Sequence, residues 1–159
     1  MKKELHQSIA GVVLALSVGA LHAQAGVKVE DAWVRGTVPR QQATGAFMRL
    51  TPEKSLRLVA ASSPMAGMVE IHEMALENDV MRMRQVPGVD LAAGRTTELK
   101  PGGYHVMLMM LKGQIKGGDA VPITLVFEDD AKRRFTQDIV APAAALGAMP
   151  SKPAAGHKP

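Results

Sequence analysis

Short runs of apolar and β-branched residues recur along most of the chain, and turn residues separate them. Many of these runs alternate apolar and polar positions, which predicts β-strands because successive strand side chains point to opposite faces. The predicted strands are residues 27–35, 44–51, 55–61, 69–76, 80–86, 96–99, 104–111, 121–128 and 134–140. Nothing between them repeats at helical spacing over a helical length. The pattern therefore predicts an all-β domain, an antiparallel sandwich or barrel of about eight to nine strands.

The two ends of the chain differ from this pattern. Lys2 and Lys3 precede an apolar run at 9–21 and the small-residue sequence Ala23-Gln24-Ala25. This is the layout of a secretory signal peptide, with cleavage after Ala23 or Ala25. The apolar run is short for a membrane span, so we expect no stable membrane insertion once the signal is removed. We predict an exported protein with a signal peptide at 1–25, a folded domain at 26–140 and a flexible tail at 141–159.

The composition narrows what the domain can do. The chain has 159 residues, enough for one domain with a sizeable core, and it contains no cysteine. This excludes disulfides, thiolate catalysis, zinc–thiolate sites and a blue-copper centre. The net charge is +4, and Lys132-Arg133-Arg134 fits a solvated turn better than a nucleic-acid patch. We expect neither nucleic-acid binding nor catalysis, since we identify no nucleophile–base pair.

Histidine and methionine supply the candidate chemistry. Of the three histidines that follow the predicted signal, two begin the same pattern: His72-Glu73-Met74 and His105-Val106-Met107. Residues two apart on a strand share a face, so each pattern places an imidazole beside a thioether. A two-residue turn at Asn78-Asp79 would place Met74 opposite Met83, with His72 as the diagonal neighbour of Met83. Thioethers favour Cu(I), and a methionine-rich set argues against zinc.

Methionine is also a common packing residue, and the packing interpretation applies best to Met48, Met81 and Met110. Met65, Met68 and Met109 are open to either interpretation, because they could form a hydrophobic rim around the candidate site.

The spacing of these residues resembles that of the periplasmic PCu(A)C copper chaperones (DUF461-type). The family signature is a His, ten residues, a Met, twenty-one residues and His-x-Met, and His72, Met83 and His105-Val106-Met107 reproduce it without an insertion. The sequences at 31–35, 69–73, 101–109 and 118–128 are also similar, and the resemblance covers residues 27–140.

This resemblance implies a cupredoxin-like β-sandwich with Greek-key connections that binds one Cu(I). The implied ligands are His72, Met83, His105 and Met107, with Met74 as an auxiliary ligand or a cover. The family is associated with copper supply to the CuA centre of cytochrome oxidase subunit II, sometimes alongside a Sco-type thioredoxin-like protein. Some relatives bind Cu(II) through a Met/His-rich tail.

The tail of this chain has only Met149 and His157 as residues of that kind, enough for a weak secondary Cu(II) site at most.

Three alternatives are compatible with the sequence. A copper-buffering or resistance protein would have the same site as a delivery protein. An electron-transfer copper protein is disfavoured by the missing cysteine. A metal-free β-sandwich interaction module would be indifferent to loss of the histidines and methionines.

Overall fold

The computed structural model describes residues 26–148, and these contain strands and turns but no helix, hence no helix that could cross a membrane. The predicted signal peptide, Met149 and His157 lie outside this range. The ten strands are β1 (Val27–Arg35), β2 (Ala43–Pro52), β3 (Leu56–Ser62), β4 (Ala66–Glu77), β5 (Val80–Gln85), β6 (Val89–Leu91), β7 (Thr97–Leu99), β8 (His105–Leu111), β9 (Ala120–Glu128) and β10 (Arg134–Ala144).

The strands hydrogen-bond in the order β5-β4-β8-β2-β1-β10-β9-β3-β6, and β7 pairs separately with β2. Strand β10 pairs with β9 along most of its length and with β1 only at its last two residues. The order therefore folds into two layers joined at β1 and β10. Fully buried side chains from both layers form one core, among them Leu50, Leu108, Leu58 and Phe127. The predicted all-β cupredoxin-like sandwich is confirmed.

One pairing departs from the expected antiparallel arrangement. Strands β1 and β10 are parallel, with Val34 opposite Ala143 and Arg35 opposite Ala144. The backbone N–H of Gly36 continues this contact by donating to the carbonyl of Ala144 at 3.0 Å. A parallel pair needs no tight turn between its strands, so it can join the first and last strands of the domain.

The structure also differs from the predicted boundaries at two places. The residues between the predicted strands 80–86 and 96–99 were expected as a loop, but Val89–Leu91 pairs with β3 as strand β6 and buries Val89 and Leu91. Three residues are too few to show an alternation of apolar and polar positions, so the sequence pattern does not predict this strand. Residues 141–144 were assigned to the tail, yet they complete β10 and bury Ala141 and Ala143. Alanine contributes little hydrophobic signal, and backbone pairing holds this segment in the sheet.

The hairpin between β4 and β5 agrees with the sequence prediction. Glu77 lies opposite Val80, and Met74 lies opposite Met83. Asn78 and Asp79 have φ values of 51° and 59°, as the two central residues of a type I′ turn require. The predicted turn and register are confirmed, and they fix which face of the hairpin Met74 and Met83 occupy.

We expect Asp79→Gly to stabilise the metal-free protein by about 1 kcal/mol, because a left-handed conformation is strained for a residue with a Cβ. Chemical denaturation measures the effect. Asp130→Gly is the matched control, since Asp130 lies in the β9–β10 turn without a positive φ and should give no gain. An Asp79→Gly protein no more stable than the control would contradict this account of the turn.

Candidate metal centre

The two His-x-Met patterns lie on adjacent antiparallel strands. In the pairing of β4 with β8, His72 is directly opposite His105 and Glu70 is directly opposite Met107. The intervening residues Ile71 and Val106 are also paired and point into the core, where both are buried. The histidines therefore share the outer face of this layer, with ring centroids 5.9 Å apart.

His105 presents a lone pair to a thioether. Its Nδ1 lies 3.0 Å from the carbonyl oxygen of Gly103, which can only accept, so Nδ1 carries the proton. Nε2 of the neutral ring then has no hydrogen, and it lies 3.2 Å from Sδ of Met83. Two acceptors facing each other at this distance favour a cation that both can bind. Met83 reaches His105 across the intervening strand β4, because β5 is two strands away from β8.

His72 presents a second free nitrogen. Its Nε2 lies 2.7 Å from a carboxylate oxygen of Glu70, which assigns the ring proton to Nε2. Nδ1 is buried and has no hydrogen-bond partner among residues 26–148. A carboxylate that holds the far side of an imidazole is the usual outer-shell arrangement at metal sites, where it fixes the tautomer.

A cavity of about 350 Å³ lies over this face and brings in residues from β1 and β2. Four of the five residues predicted from sequence line it: Met74, Met83, His105 and Met107. The fifth, His72, lies directly across from His105. The cavity is also lined by Arg35, Gln41, Ala43, Thr44, Gly45, Phe47, Pro101 and Gly102. The structure thus brings all five predicted residues to one place, and their binding of a metal remains a prediction.

Phe47 forms the aromatic wall of the cavity. Its ring packs against Trp33 at a centroid distance of 4.6 Å, and the guanidinium of Arg35 lies 5.7 Å from its centroid. Gly45 makes room for this ring, because a Cβ at Gly45 would lie 2.7 Å from a ring atom. Since Gly45 is opposite Met107, the absence of a side chain there also leaves Met107 open to the cavity.

Sequence reasoning did not single out Glu70, Gly45 or Phe47 as site residues. Glu70 could have been found, since it is two residues before His72 and so shares its face. Gly45 and Phe47 join the site through the pairing of β2 with β8, which no local pattern predicts.

The predicted packing role holds for only one of three methionines. Met48 is 2% exposed and belongs to the core, whereas Met81 and Met110 are 49% and 60% exposed. The packing interpretation of Met81 and Met110 is wrong. Met81 lies on an edge strand of the sheet, and Met110 has a positive φ that interrupts the regular alternation of β8.

The donor set suits a soft metal ion. Residues 26–148 contain no group of three or more His, Asp or Glu side chains arranged to hold a metal. The described region therefore has neither a carboxylate cluster of the kind that calcium prefers nor a His–carboxylate site of the kind that zinc prefers. Imidazole nitrogens combined with thioethers match Cu(I) best.

The family model that matches this sequence is described as "Putative lipoprotein LpqE-like", and it covers residues 27–139. The chain belongs to the LpqE-like family. A curated relative, "Putative lipoprotein Lxx21020" of Leifsonia xyli subsp. xyli, is 31% identical to this LpqE-like protein over 133 residues. That alignment covers 77% of this chain and 80% of the relative.

Two solved structures are similar to this LpqE-like protein. The copper-bound PCuAC domain from PmoF2 has 22% sequence identity and a TM-score of 0.59, covering 77% of this chain and 96% of that domain. The solution structure of CuI-DR1885 from Deinococcus radiodurans has 32% identity and a TM-score of 0.55, covering 77% of this chain and 81% of DR1885. The predicted resemblance to PCu(A)C proteins is therefore confirmed at the level of the fold.

Burial lowers the pKa of His105 from its ordinary value of 6.5; the hydrogen bond to the Gly103 carbonyl raises it by less, and the nearby His72 and Arg35 lower it slightly further. His105 is only 6% exposed, so a charged ring would lose most of its hydration. The imidazole of the LpqE-like protein is thus neutral at pH 7, and no proton has to leave before Nε2 binds a metal.

In the metal-free protein we expect the His105 ring to take up its proton only below pH 6.5, as followed by NMR titration of the ring resonances. The unfolded chain binds this proton first as the pH falls, so the free energy of unfolding should decrease from about pH 6.5 downward. His105→Gln should lose that part of the pH dependence. A measured pKa above 6.5 for His105 would contradict the assignment.

Proposed function

We propose that this LpqE-like protein is a periplasmic copper chaperone that binds one Cu(I) through His72, Met83, His105 and Met107. The observation that carries the proposal is the facing pair of acceptors, Nε2 of His105 and Sδ of Met83, 3.2 Å apart. The free Nδ1 of His72 supports the same interpretation, since a buried nitrogen without a partner is costly unless a ligand binds it.

The chemistry of the donors and the copper-bound relatives both support Cu(I). None of the four proposed ligands is an anion, and thioethers need not lose a proton to bind. The related DR1885 structure is named as a Cu(I) form, and the PmoF2 domain as copper-bound. Met74 lies opposite Met83 and lines the same cavity, so it is the candidate to replace or cover a ligand during exchange.

Delivery requires a site that releases its ion. Met83 is 49% exposed and lies on the edge strand β5, where a ligand of a recipient can approach and displace it first. The other ligands come from interior strands and would retain the ion until a second recipient ligand arrives. We propose a copper centre of a respiratory oxidase, such as CuA in subunit II, as the recipient, with a Sco-type thioredoxin-like protein as a second partner.

Export is part of the proposal. The basic residues, apolar run and Ala23-Gln24-Ala25 at the start of the sequence support a cleaved signal peptide. A relative named as a lipoprotein is consistent with export, but the present chain has no cysteine to carry a lipid. We therefore propose that the protein is released into the periplasm rather than anchored.

An anaerobic Cu(I) titration against a chromophoric chelator tests the site. We expect one tightly bound Cu(I), and at least about tenfold weaker binding in His72→Ala, His105→Ala and Met83→Leu, as is typical when a metal shell is damaged. Met81→Leu is the matched control, because Met81 lies on the same strand with the same exposure as Met83. Binding that is unchanged in both histidine variants would overturn the copper assignment.

Loss of Glu70 tests the outer shell of the site. We expect Glu70→Ala to weaken Cu(I) binding about 10–100-fold with unchanged stoichiometry, because the His72 ring loses the carboxylate that fixes its tautomer. Glu73→Ala is the control, since Glu73 adjoins His72 but accepts a 2.7 Å hydrogen bond from Arg84 instead. The same chelator titration measures both variants, and equal affinities for the two would refute a positioning role for Glu70.

A buffering protein would have the same affinity but no preferred recipient. Transfer from the Cu(I)-loaded protein to a purified oxidase subunit II fragment separates the two functions. Transfer that is faster than release to a chelator of equal affinity supports delivery, and equal rates support buffering.

A further inference from the structure

We propose that Met68 and Met109 form a second, weaker binding site for Cu(I), made of thioethers alone and lying beside the His/Met site. These two methionines have no part in the proposed four-ligand site. The sequence left open whether they belong to a hydrophobic rim, and the pairing of β4 with β8 now gives their positions.

Met68 and Met109 are directly opposite each other in the pairing of β4 with β8. Side chains at directly opposed positions have Cβ atoms about 5 Å apart, close enough for two thioethers to bind one ion. Met68 is on the same face as Glu70 and His72, and Met109 is on the same face as Met107 and His105. The pair therefore lies on the outer face that carries the proposed copper ligands.

Packing does not explain these two methionines. The core side of the same strand segment is supplied by Val69 and Leu108, which are paired with each other, and Leu108 is fully buried. Met68 is 46% exposed, in contrast to the core residue Met48. On the other side of β8, the residue opposite Met109 is Ala43, whose small side chain lines the cavity and leaves the thioether uncrowded.

The position suits passage of an ion to the proposed copper site. Between the pair and the two histidines lies one row, Glu70 opposite Met107. Rows on one face repeat every two residues, about 7 Å along the strand, so Met109 and Met107 are one step apart. The carboxylate of Glu70 lies in that intervening row and favours a cation on either side. Two thioethers without an imidazole should bind Cu(I) more weakly than the His/Met site does. An entry site requires this weaker binding, because it has to pass the ion on.

The transfer role rests on the proposed function, whereas metal binding by the pair can be tested on its own. The exported protein, without its signal peptide, is labelled with ¹³C in the methionine methyl groups. It is titrated with Ag(I), a redox-stable soft ion, and separately with Cu(I) under anaerobic conditions. We expect the first equivalent to shift the methyl resonances of Met83 and Met107. The second equivalent should shift those of Met68 and Met109.

The variants Met68→Leu and Met109→Leu retain apolar side chains of similar size, so the fold is expected to persist. Each should abolish the second binding step and leave the first unchanged, while Met110→Leu, on the same strand, should retain both. Resonances of Met68 and Met109 that stay unmoved at excess metal would overturn the second site, as would a second step that survives both substitutions. If only Met83 and Met107 fail to respond, the proposed function fails and the second site stands.

Discussion

The register between β4 and β8 is the constraint on which the candidate site depends. It places His72 opposite His105 and Glu70 opposite Met107. Because strand side chains alternate, a slip of one residue in this pairing would turn the candidate site residues of one strand into the core. Ile71 or Val106 would then be exposed instead. Burial of such side chains contributes about 1.5–3 kcal/mol each, so the apolar face of the two strands fixes the geometry of their polar face. The core thereby determines the positions of the proposed ligands.

Two further strands, β5 and β2, supply the remaining residues around the candidate site. Strand β5 brings Met83 over β4 to His105, and β2 brings Gly45 and Phe47 to the other side of β8. A glycine and an aromatic ring at these positions leave a cavity with an apolar wall instead of a packed surface. Such surroundings lower the local dielectric constant and limit the access of water, which makes a neutral His105 ring the favoured state.

The local features of this site could be predicted from the sequence, but its tertiary contacts could not. The Asn78-Asp79 turn and the opposition of Met74 and Met83 could be predicted, because a two-residue hairpin leaves a single register. The pairing of His72 with His105 could not, since 32 residues separate these positions and no local rule joins their strands. Strand β6 and the end of β10 were missed for another reason: their buried residues are too few or too small to produce a pattern. The position of Glu70 beside His72 follows from alternation alone, which a search for metal ligands overlooks.

The exposure of β5 has a consequence for the kinetics of the proposed chaperone. All six of its residues are exposed, and it pairs only with β4, so among the described strands it has little buried surface to resist local opening. Opening of this strand would carry Met83 away while the two layers and the other three proposed ligands stay in place. The rate of copper release would then follow the fraying of one hairpin rather than the strength of a copper–sulfur bond. The residues whose hydrogen bonds hold β5 against β4 would thereby regulate how long the ion stays bound.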